Sequence, residues 1–325
     1  MNRTVKHIIG CLATLAMIVV GAQRLGHLVR PVVFNLSGAY TKIDSFHSMP
    51  EHSIEVIAYG SSHTYKSIDP MVMYRDYGIG AYNYGYNWQR LNTTKLFLQE
   101  SLSTQSPKIA LIETYFVNNS GADRDMNGEI YYTRYLRNSK YKLEYLKQCF
   151  GNNLERWLSY IMPLSMFHDN WPNVTEESFA PVVNRNNMPM GFGPTEKAMK
   201  LTMRDQSEVK QRKLKASSIA ELDTMVQFCR EHNIEPVFFT VPFKRGYSFA
   251  DAMTEYAREK GCVYINMFDH MEECGLDPKT DFRDAGHTNS RGAAKISAYL
   301  GKYLSEHYDL TDMRQVENNP WSKVK

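Results

Sequence analysis

Two short segments of the chain carry side chains that could act together as a nucleophile and its base. One is Gly60-Ser61-Ser62, and the other contains Asp284 and His287, three residues apart. At this spacing a carboxylate can hold one imidazole nitrogen by a hydrogen bond, while the other nitrogen takes a proton from a serine hydroxyl. We therefore predict a triad in which Ser62 is the nucleophile, His287 is the base and Asp284 orients the base.

Each segment also has an ordinary structural explanation when it is taken alone. Ser61 and Ser62 could cap a helix, which is a common role of serine. Asp284 could be a turn residue, and His287 could lie at the start of a helix. The predicted triad depends on both segments occurring in one chain and on folding that brings them together.

The turn that carries Ser62 follows a segment typical of a buried strand. Residues 54–59 are rich in β-branched residues and are followed by Gly60. Further strands are predicted at residues 81–84, 109–112, 236–241 and 263–267. Helices are predicted between and after them, at residues 88–102, 208–231, 249–260 and 290–305.

Strands that alternate with helices in this way predict an α/β fold, with a parallel central sheet between two layers of helices. Ligands of such folds bind beyond the carboxyl ends of the strands. Ser62 and the segments that follow Tyr84 and Ile112 are expected at this edge. The backbone N–H of Ser62 would face the same space, as an oxyanion site requires.

One stretch departs from the alternating pattern. Residues 118–205 are rich in Asn, Met and aromatic residues, and only residues 140–161 there predict a helix. We therefore expect an α/β domain over residues 31–325, interrupted by an insertion at about residues 118–205. Residues 1–30 form a separate segment.

That N-terminal segment has the pattern of an export signal. Arg3 and Lys6 precede an uncharged, mostly apolar run of fifteen residues at positions 8–22. A run of this length suits a signal peptide and is short of the about 20 residues that span a membrane, but apolar residues resume at Leu25. Two outcomes stay open: a single-pass membrane anchor with an extracytoplasmic domain, or secretion after cleavage near Ala22. A buried core helix of a cytosolic protein is the alternative.

Composition excludes other classes of function. The chain has 38 basic and 35 acidic residues spread along its length, so no segment offers the basic stripe that nucleic-acid binding requires. The five cysteines form no CxxC or Cys/His cluster, and we predict no metal and no cofactor. Four cysteines could pair in an exported protein or stay free thiols: Cys149, Cys229, Cys262 and Cys274.

The two chemical segments together resemble the SGNH (GDSL-like) hydrolases. In that superfamily a GDS block after the first strand carries the nucleophile, and a DxxH block before the last helix carries the aspartate and histidine. Gly60-Ser61-Ser62 matches the first block with serine in place of aspartate, and Asp284-Ala285-Gly286-His287 matches the last. The resemblance implies a flavodoxin-like SGNH fold over about residues 54–112 and 235–304.

More narrowly, three segments resemble exported bacterial members of the superfamily, including relatives of the DltD protein of teichoic-acid D-alanylation and of alginate O-acetylation proteins. The segments are Gly60-Ser61-Ser62-His63-Thr64, Tyr82-Asn83-Tyr84-Gly85 and His287-Thr288-Asn289 with a following glycine. This resemblance implies a glycan or other cell-envelope polymer as substrate. It also implies a membrane-bound O-acyltransferase as partner.

The resemblance further assigns the N–H of Gly85 to the oxyanion site. The family's GxND block is replaced here by Glu113-Thr114-Tyr115, so its side-chain donor must come from elsewhere. Four polar side chains are candidates for that donor: Asn83, Asn87, Gln89 and Asn118. Glu113 and Gln89 are also candidates for contacts with substrate, although Glu113 could equally make a structural hydrogen bond. His63 is expected to pack in the turn.

Two functions from different classes follow. The first is an extracytoplasmic serine esterase or acyltransferase that acts on a cell-envelope polymer through Ser62, His287 and Asp284. The second is a catalytically weak or inactive subunit that keeps the fold and binds polymer or a membrane acyltransferase. A cytosolic lipase-like enzyme is a third possibility.

Overall fold

The computed structural model describes residues 2–29, 39–119, 132–179 and 189–324. Five strands and the main helices alternate along most of the chain. In order they are α1 (Arg3–Val29), α2 (Ala39–His47), β1 (Val56–Tyr59), α3 (Ser62–Ser67), α4 (Pro70–Tyr77), β2 (Ala81–Asn83), α5 (Leu91–Ser101), β3 (Ile109–Glu113), α6 (Lys140–Phe150), α7 (Leu154–Ile161), α8 (Pro163–Phe167), α9 (Ala216–Glu231), β4 (Glu235–Thr240), α10 (Ala250–Lys260), β5 (Val263–Asn266) and α11 (Ser290–His307).

The five strands form one parallel sheet in the order β2-β1-β3-β4-β5. This is the strand order of flavodoxin-like folds, in which the chain reverses its direction of growth between β1 and β3. The predicted α/β fold with a parallel central sheet is confirmed. The carboxyl end of β1, where Ser62 begins α3, lies at this reversal.

The sheet is buried on both faces because alternate strand residues enter two separate cores. On one face Ile57 and Ile112 pack with side chains from α5, α9 and α10. On the other face Val56 and Leu111 pack with side chains from α4 and α11, including Ile296. The strands are therefore nearly continuous apolar runs, as expected for a central parallel sheet.

Several predicted boundaries are wrong. The helix predicted at residues 140–161 is two helices, α6 and α7, because Gly151 ends the first with a positive φ of 55°. The helix predicted from residue 208 begins only at Ala216. Helix α4 was not predicted, although Asp69 caps it, Pro70 begins it and Gly78 ends it in the left-handed region. The rest of the proposed insertion falls partly on residues 120–131 and 180–188, outside the described residues.

Helix α1 contains one segment, Arg3–Gly26, that is long and apolar enough to cross a membrane, and its most apolar stretch is exposed in the structure. Its carboxyl end packs against the helices of the proposed insertion. Gln23 Nε2 donates a hydrogen bond to the carbonyl of Ile161 at 2.9 Å, and Asn170 Nδ2 donates to the carbonyl of Val29 at 2.6 Å. All five cysteines are free thiols in the structure.

Candidate active site

Ser62 is held at the top of the sheet by a turn that requires glycine at position 60. Gly60 has φ of 142°, and a Cβ there would lie 2.5 Å from Glu113 Cβ and 2.5 Å from Thr64 Oγ1. Ser61 then caps α3, because its Oγ accepts a hydrogen bond from the N–H of His63 at 3.2 Å. Ser62 is consequently the first residue of α3 and is half-buried.

His287 and Asp284 lie in line with this serine. His287 Nε2 is 2.8 Å from Ser62 Oγ, and His287 Nδ1 is 2.8 Å from Asp284 Oδ1. The structure thus brings together the three residues of the predicted triad. With a proton on Nδ1, the imidazole presents a free Nε2 lone pair to the serine hydroxyl, which is the arrangement needed for general-base activation.

The carboxylate of Asp284 is suited to remain ionised. Partial burial acts to raise the pKa of Asp284, but the N–H of Gly286 and the charges of His287 and Arg283 outweigh burial and hold that pKa below its ordinary value. Asp284 Oδ1 also accepts the backbone N–H groups of Gly286 at 2.9 Å and of His287 at 3.0 Å. These bonds fix the loop in the conformation that orients the imidazole.

The loop of His287 is joined directly to the helix of Ser62. Thr288 Oγ1 donates to the carbonyl of Lys66 at 2.9 Å and lies 2.9 Å from Ser67 Oγ. On its other side, Asn289 caps α11 by accepting the N–H of Arg291 and of Gly292. Two segments from distant parts of the chain are therefore held in a fixed relation.

The side chain of Glu113 makes structural hydrogen bonds behind the nucleophile turn and is not among the residues that line the pocket. Its Oε2 accepts hydrogen bonds from Ser61 Oγ at 2.8 Å and from Ser61 N–H at 3.3 Å, and its Oε1 accepts from Tyr115 N–H. Burial raises the pKa of Glu113 to about 7, against the lowering effect of these hydrogen bonds. Glu113 supports the turn that holds Ser62.

Two of the proposed oxyanion donors have hydrogen-bond partners elsewhere in the structure. The N–H of Gly85 donates to Asn83 Oδ1 at 3.1 Å, so it is already used. The side-chain amide of Asn83 donates to the carbonyls of Thr64 at 2.8 Å and Ile68 at 2.6 Å. Asn83 is fully buried and ties β2 to α3 instead of facing the site.

The other proposed amide donors differ in whether they line the pocket. Gln89 is buried, with its Nε2 3.3 Å from Thr94 Oγ1, and it does not line the pocket. Asn118 binds the backbone of residues 213 and 215. Asn87 is the one candidate amide among the described residues that lines the pocket beside Ser62. The backbone N–H of Ser62 has no acceptor among the described residues, so it is available as well.

His63 packs in the turn, as the sequence predicted. Its ring stacks on Tyr115 with centroids 3.8 Å apart and meets Phe243 edge-on at 5.4 Å. Burial, together with the nearby His287, lowers the pKa of His63 well below its ordinary value. A neutral His63 leaves His287 free to carry the positive charge.

The catalytic candidates open into a pocket of about 310 Å³. Besides the three predicted residues, its walls consist of Tyr65, Lys66, Asn87 and Arg283. Sequence reasoning missed Tyr65 and Lys66, although positions three and four after Ser62 share its side of a helix. It also missed Arg283, which is adjacent to Asp284. In the described parts of the chain, no group of three or more His, Cys, Asp or Glu side chains could hold a metal ion.

A buried lysine supports the far side of the site and was also missed. Lys42 of α2 donates from Nζ to the carbonyl of Gly85 at 2.5 Å and lies 5.0 Å from the Tyr65 ring centroid. Burial, with the charge of Lys66 as a smaller cause, lowers the pKa of Lys42 well below its ordinary value. No motif signals this contact, since it joins an N-terminal helix to a loop more than 40 residues later.

Comparisons with known proteins give only distant similarity. No protein-family model matches the chain, and no curated protein sequence matches it. Among solved structures, the chain is similar to a G-D-S-L family protein from Desulfitobacterium hafniense DCB-2, provisionally assigned as lipolytic. The two share 12% identity with a TM-score of 0.40, over 77% of this chain and 98% of that one.

A second similar structure is a provisionally assigned acylhydrolase from Bacteroides fragilis NCTC 9343. It shares 11% identity with a TM-score of 0.38, over 82% of this chain and 94% of that one. Since both TM-scores lie below 0.5, the roles of individual residues rest on the geometry of this chain alone.

Proposed function

We propose that the protein is a serine-dependent esterase or acyltransferase with Ser62 as nucleophile. One observation carries this proposal: Ser62 Oγ, the imidazole of His287 and the carboxylate of Asp284 form a continuous hydrogen-bonded series that opens into a pocket. A helix cap or a turn needs no such alignment. The ordinary explanations of the two segments account for each segment but not for their meeting.

The reaction proceeds by acyl transfer through a covalent intermediate. His287 Nε2 takes the proton of Ser62 as Oγ attacks the acyl carbonyl, and the resulting imidazolium is stabilised by Asp284. The same proton passes to the leaving alcohol when the tetrahedral intermediate collapses to the acyl-enzyme. Water or a second alcohol then attacks with His287 as base, and the acyl group leaves on that acceptor.

The negative oxygen of the tetrahedral intermediate requires donors that face the pocket. The backbone N–H of Ser62 and the side-chain amide of Asn87 fit this role, in place of Gly85 and Asn83. An oxyanion donor typically contributes about 100- to 1000-fold in rate. Asn87→Ala should therefore lower kcat by about that factor with little effect on KM.

The proposed substrate is a cell-envelope polymer such as a glycan, reached from the membrane surface. Trp88 supports this proposal, because it follows Asn87, is 61% exposed, and stacks on Phe116 at 5.8 Å with a strained φ of 60°. An exposed indole beside the pocket is a suitable platform for a sugar ring. A membrane-bound O-acyltransferase is proposed as the partner that supplies or receives the acyl group.

The protein is proposed to be anchored in a membrane through α1, with the rest of the chain outside the cytoplasm. Arg3 and Lys6 precede the apolar segment, as basic residues do in export signals, and this supports an N-terminus in the cytoplasm. Cleavage near Ala22 would instead release the protein. The contact of Gln23 with the backbone of Ile161 lies after that cleavage site and is compatible with either outcome.

The proposal is tested by labelling the full chain in detergent with a fluorophosphonate. Wild type should be labelled at Ser62, Ser62→Ala should not be labelled, and His287→Ala should react much more slowly. Ser305→Ala is a matched control, because Ser305 lies in the last turn of α11 on the exposed surface. A folded wild type that resists the probe and does not hydrolyse aryl acetates would instead support the binding or assembly subunit.

Hydrolysis and transfer are separated by the product. Incubation of the acyl-enzyme with a glycan oligosaccharide should give acylated sugar if the protein is a transferase, and only free acid if it is an esterase. Both products require the same three residues. The ratio of acylated sugar to free acid, measured at increasing sugar concentration, distinguishes transfer from hydrolysis.

A further inference from the structure

Two cationic side chains line the pocket next to the proposed catalytic residues. Lys66 lies one turn after Ser62 in α3, and Arg283 directly precedes Asp284. Asp284 is the one carboxylate among the lining residues. With a neutral imidazole in the pocket, its walls therefore carry a net positive charge.

The ammonium group of Lys66 has only neutral partners. Its Nζ donates to the carbonyl of Gly193 at 2.8 Å and lies 4.6 Å from the centroid of the Tyr65 ring. No carboxylate of the described residues lies within 4.0 Å of it. Burial, followed by the charge of Arg283, lowers the pKa of Lys66 to about 8, so Lys66 is still mostly protonated at neutral pH. Its positive charge is partly desolvated and not paired.

Arg283 has hydrogen-bonding capacity left over. Its Nε lies 3.1 Å from Asp284 Oδ2, the carboxylate oxygen that His287 does not use. That contact lacks the angle of a hydrogen bond. A guanidinium carries five N–H donors, and no described residue accepts one from the Nη groups of Arg283. Its side chain is 32% exposed, so these donors can reach a ligand in the pocket.

We propose that Lys66 and Arg283 form a subsite for an anionic group, a carboxylate or a phosphate, on the alcohol portion of the ester. The proposal rests on the proposed esterase or acyltransferase function and adds the class of substrate to it. A partly desolvated cation pair binds an anion through charge-assisted hydrogen bonds, which are about twice as strong as neutral ones. The alcohol portion is then a negatively charged sugar or polyol.

The test compares two aryl esters of the same shape. 4-Acetoxybenzoate and 4-acetoxybenzamide differ by one negative charge, and each rate is divided by its rate of reaction with neutral imidazole, an uncharged nucleophile, to remove the leaving-group difference. The full chain in detergent should prefer the benzoate by about tenfold in kcat/KM. The preference should shrink as NaCl is raised, because salt screens the attraction. 4-Acetoxyphenyl phosphate tells whether phosphate is preferred to carboxylate.

Variants assign the preference to the subsite. In Lys66→Gln the preference for the benzoate should fall about tenfold, because KM for the benzoate rises. Lys66→Arg should keep most of the preference. The ratio of the two esters is measured within one preparation, so a misfolded fraction cancels. Lys302→Gln is the matched control, because position 302 is exposed and lies about 18 Å further along α11 than its first residue. Equal rates for both esters in wild type, or an unchanged preference in Lys66→Gln, would overturn the subsite.

Binding without turnover separates this proposal from the proposed function. 4-Hydroxybenzoate should bind to Ser62→Ala protein in calorimetry, and Lys66→Gln in the same background should weaken it about tenfold. If wild type resists the fluorophosphonate and yet this binding depends on Lys66, the catalytic proposal fails and the anion subsite stands. If wild type hydrolyses both esters equally, the subsite fails and the catalytic proposal stands.

Discussion

The carboxylate of Glu113 holds Ser61 by both its backbone N–H and its hydroxyl, at 3.3 Å and 2.8 Å. Ser61 immediately precedes the proposed nucleophile and caps the helix that carries it. A residue at the end of β3 therefore controls the turn at the end of the neighbouring strand β1. The carboxylate is buried and has no cationic partner among the causes of its shifted pKa.

Glu113→Gln should change how stability depends on pH. Because burial raises the pKa of Glu113 to about 7, the folded protein keeps a proton that the unfolded chain has already released. The stability that comes from this bound proton is present at acidic pH and is lost as the pH rises towards and past 7. Between pH 5 and 8 the unfolding free energy of wild type should fall by roughly 2 to 3 kcal/mol relative to Glu113→Gln. Denaturant unfolding across this range measures the difference, and parallel curves would contradict it.

Gly60→Ala should disrupt the turn more than an ordinary positive-φ substitution does. The new Cβ would clash with Glu113 and Thr64 as well as strain the backbone. We expect a loss of more than about 3 kcal/mol in unfolding free energy and no fluorophosphonate labelling. Gly275→Ala is the control, since Gly275 also has positive φ but has open space around it, and strain alone should cost about 1 to 2 kcal/mol. Equal effects of the two substitutions would count against the tight fit.

Asp284→Asn should reduce activity far more than stability. An amide of the same size can keep, through its oxygen, the bonds that Oδ1 accepts from the loop N–H groups and from Nδ1, but without a negative charge it does not stabilise the imidazolium. We expect kcat for aryl acetates to fall by about 10⁴-fold, as such substitutions do in serine hydrolases. Thermal unfolding measured beside the kinetics should show only a small change. Substantial residual activity would mean that Asp284 does not orient His287.

Helices of the proposed insertion should touch the lipid surface. Over a bilayer core of about 30 Å, a helix uses about 20 residues, so the end of α1 near Gln23 reaches the interface. Asn170 binds the same end of α1, and the neighbouring Trp171 is 47% exposed. In liposomes, lipids brominated near the headgroup should quench part of the tryptophan fluorescence, and Trp171→Phe should remove that part. Trp88→Phe should keep it, since Trp88 lies beside the pocket. Quenching that survives in Trp171→Phe would exclude this contact.

The fold was readable from sequence because the sheet is built from local signals. Consecutive apolar residues such as Ile109 to Ile112 require cover on both faces, and this requirement predicts the parallel sheet. Breaks within helices were harder to predict. Gly151 ended a helix that the apolar pattern alone would have continued, while the signals around α4 were present in Asp69, Pro70 and Gly78 but were not used.

The candidate site was predictable only where two short segments, taken together, match one catalytic arrangement. Ser62, Asp284 and His287 could be named from their spacing, and the structure brings them together. Gly85 and Asn83 could not be judged, because whether an N–H is free depends on which acceptor lies opposite it after folding. The same is true of Lys42, whose burial against Gly85 joins parts of the chain that share no motif. The narrower likeness to proteins of polymer acylation stays a prediction.

The bonds of Thr288 to Lys66 and Ser67 join two parts of the chain more than 220 residues apart. During synthesis, the serine emerges long before the histidine that would activate it. The unfinished chain would carry an inert hydroxyl past the lipids and esters of the membrane. The triad would be complete only when the loop before α11 packs against α3, so a truncated or stalled chain would be inactive.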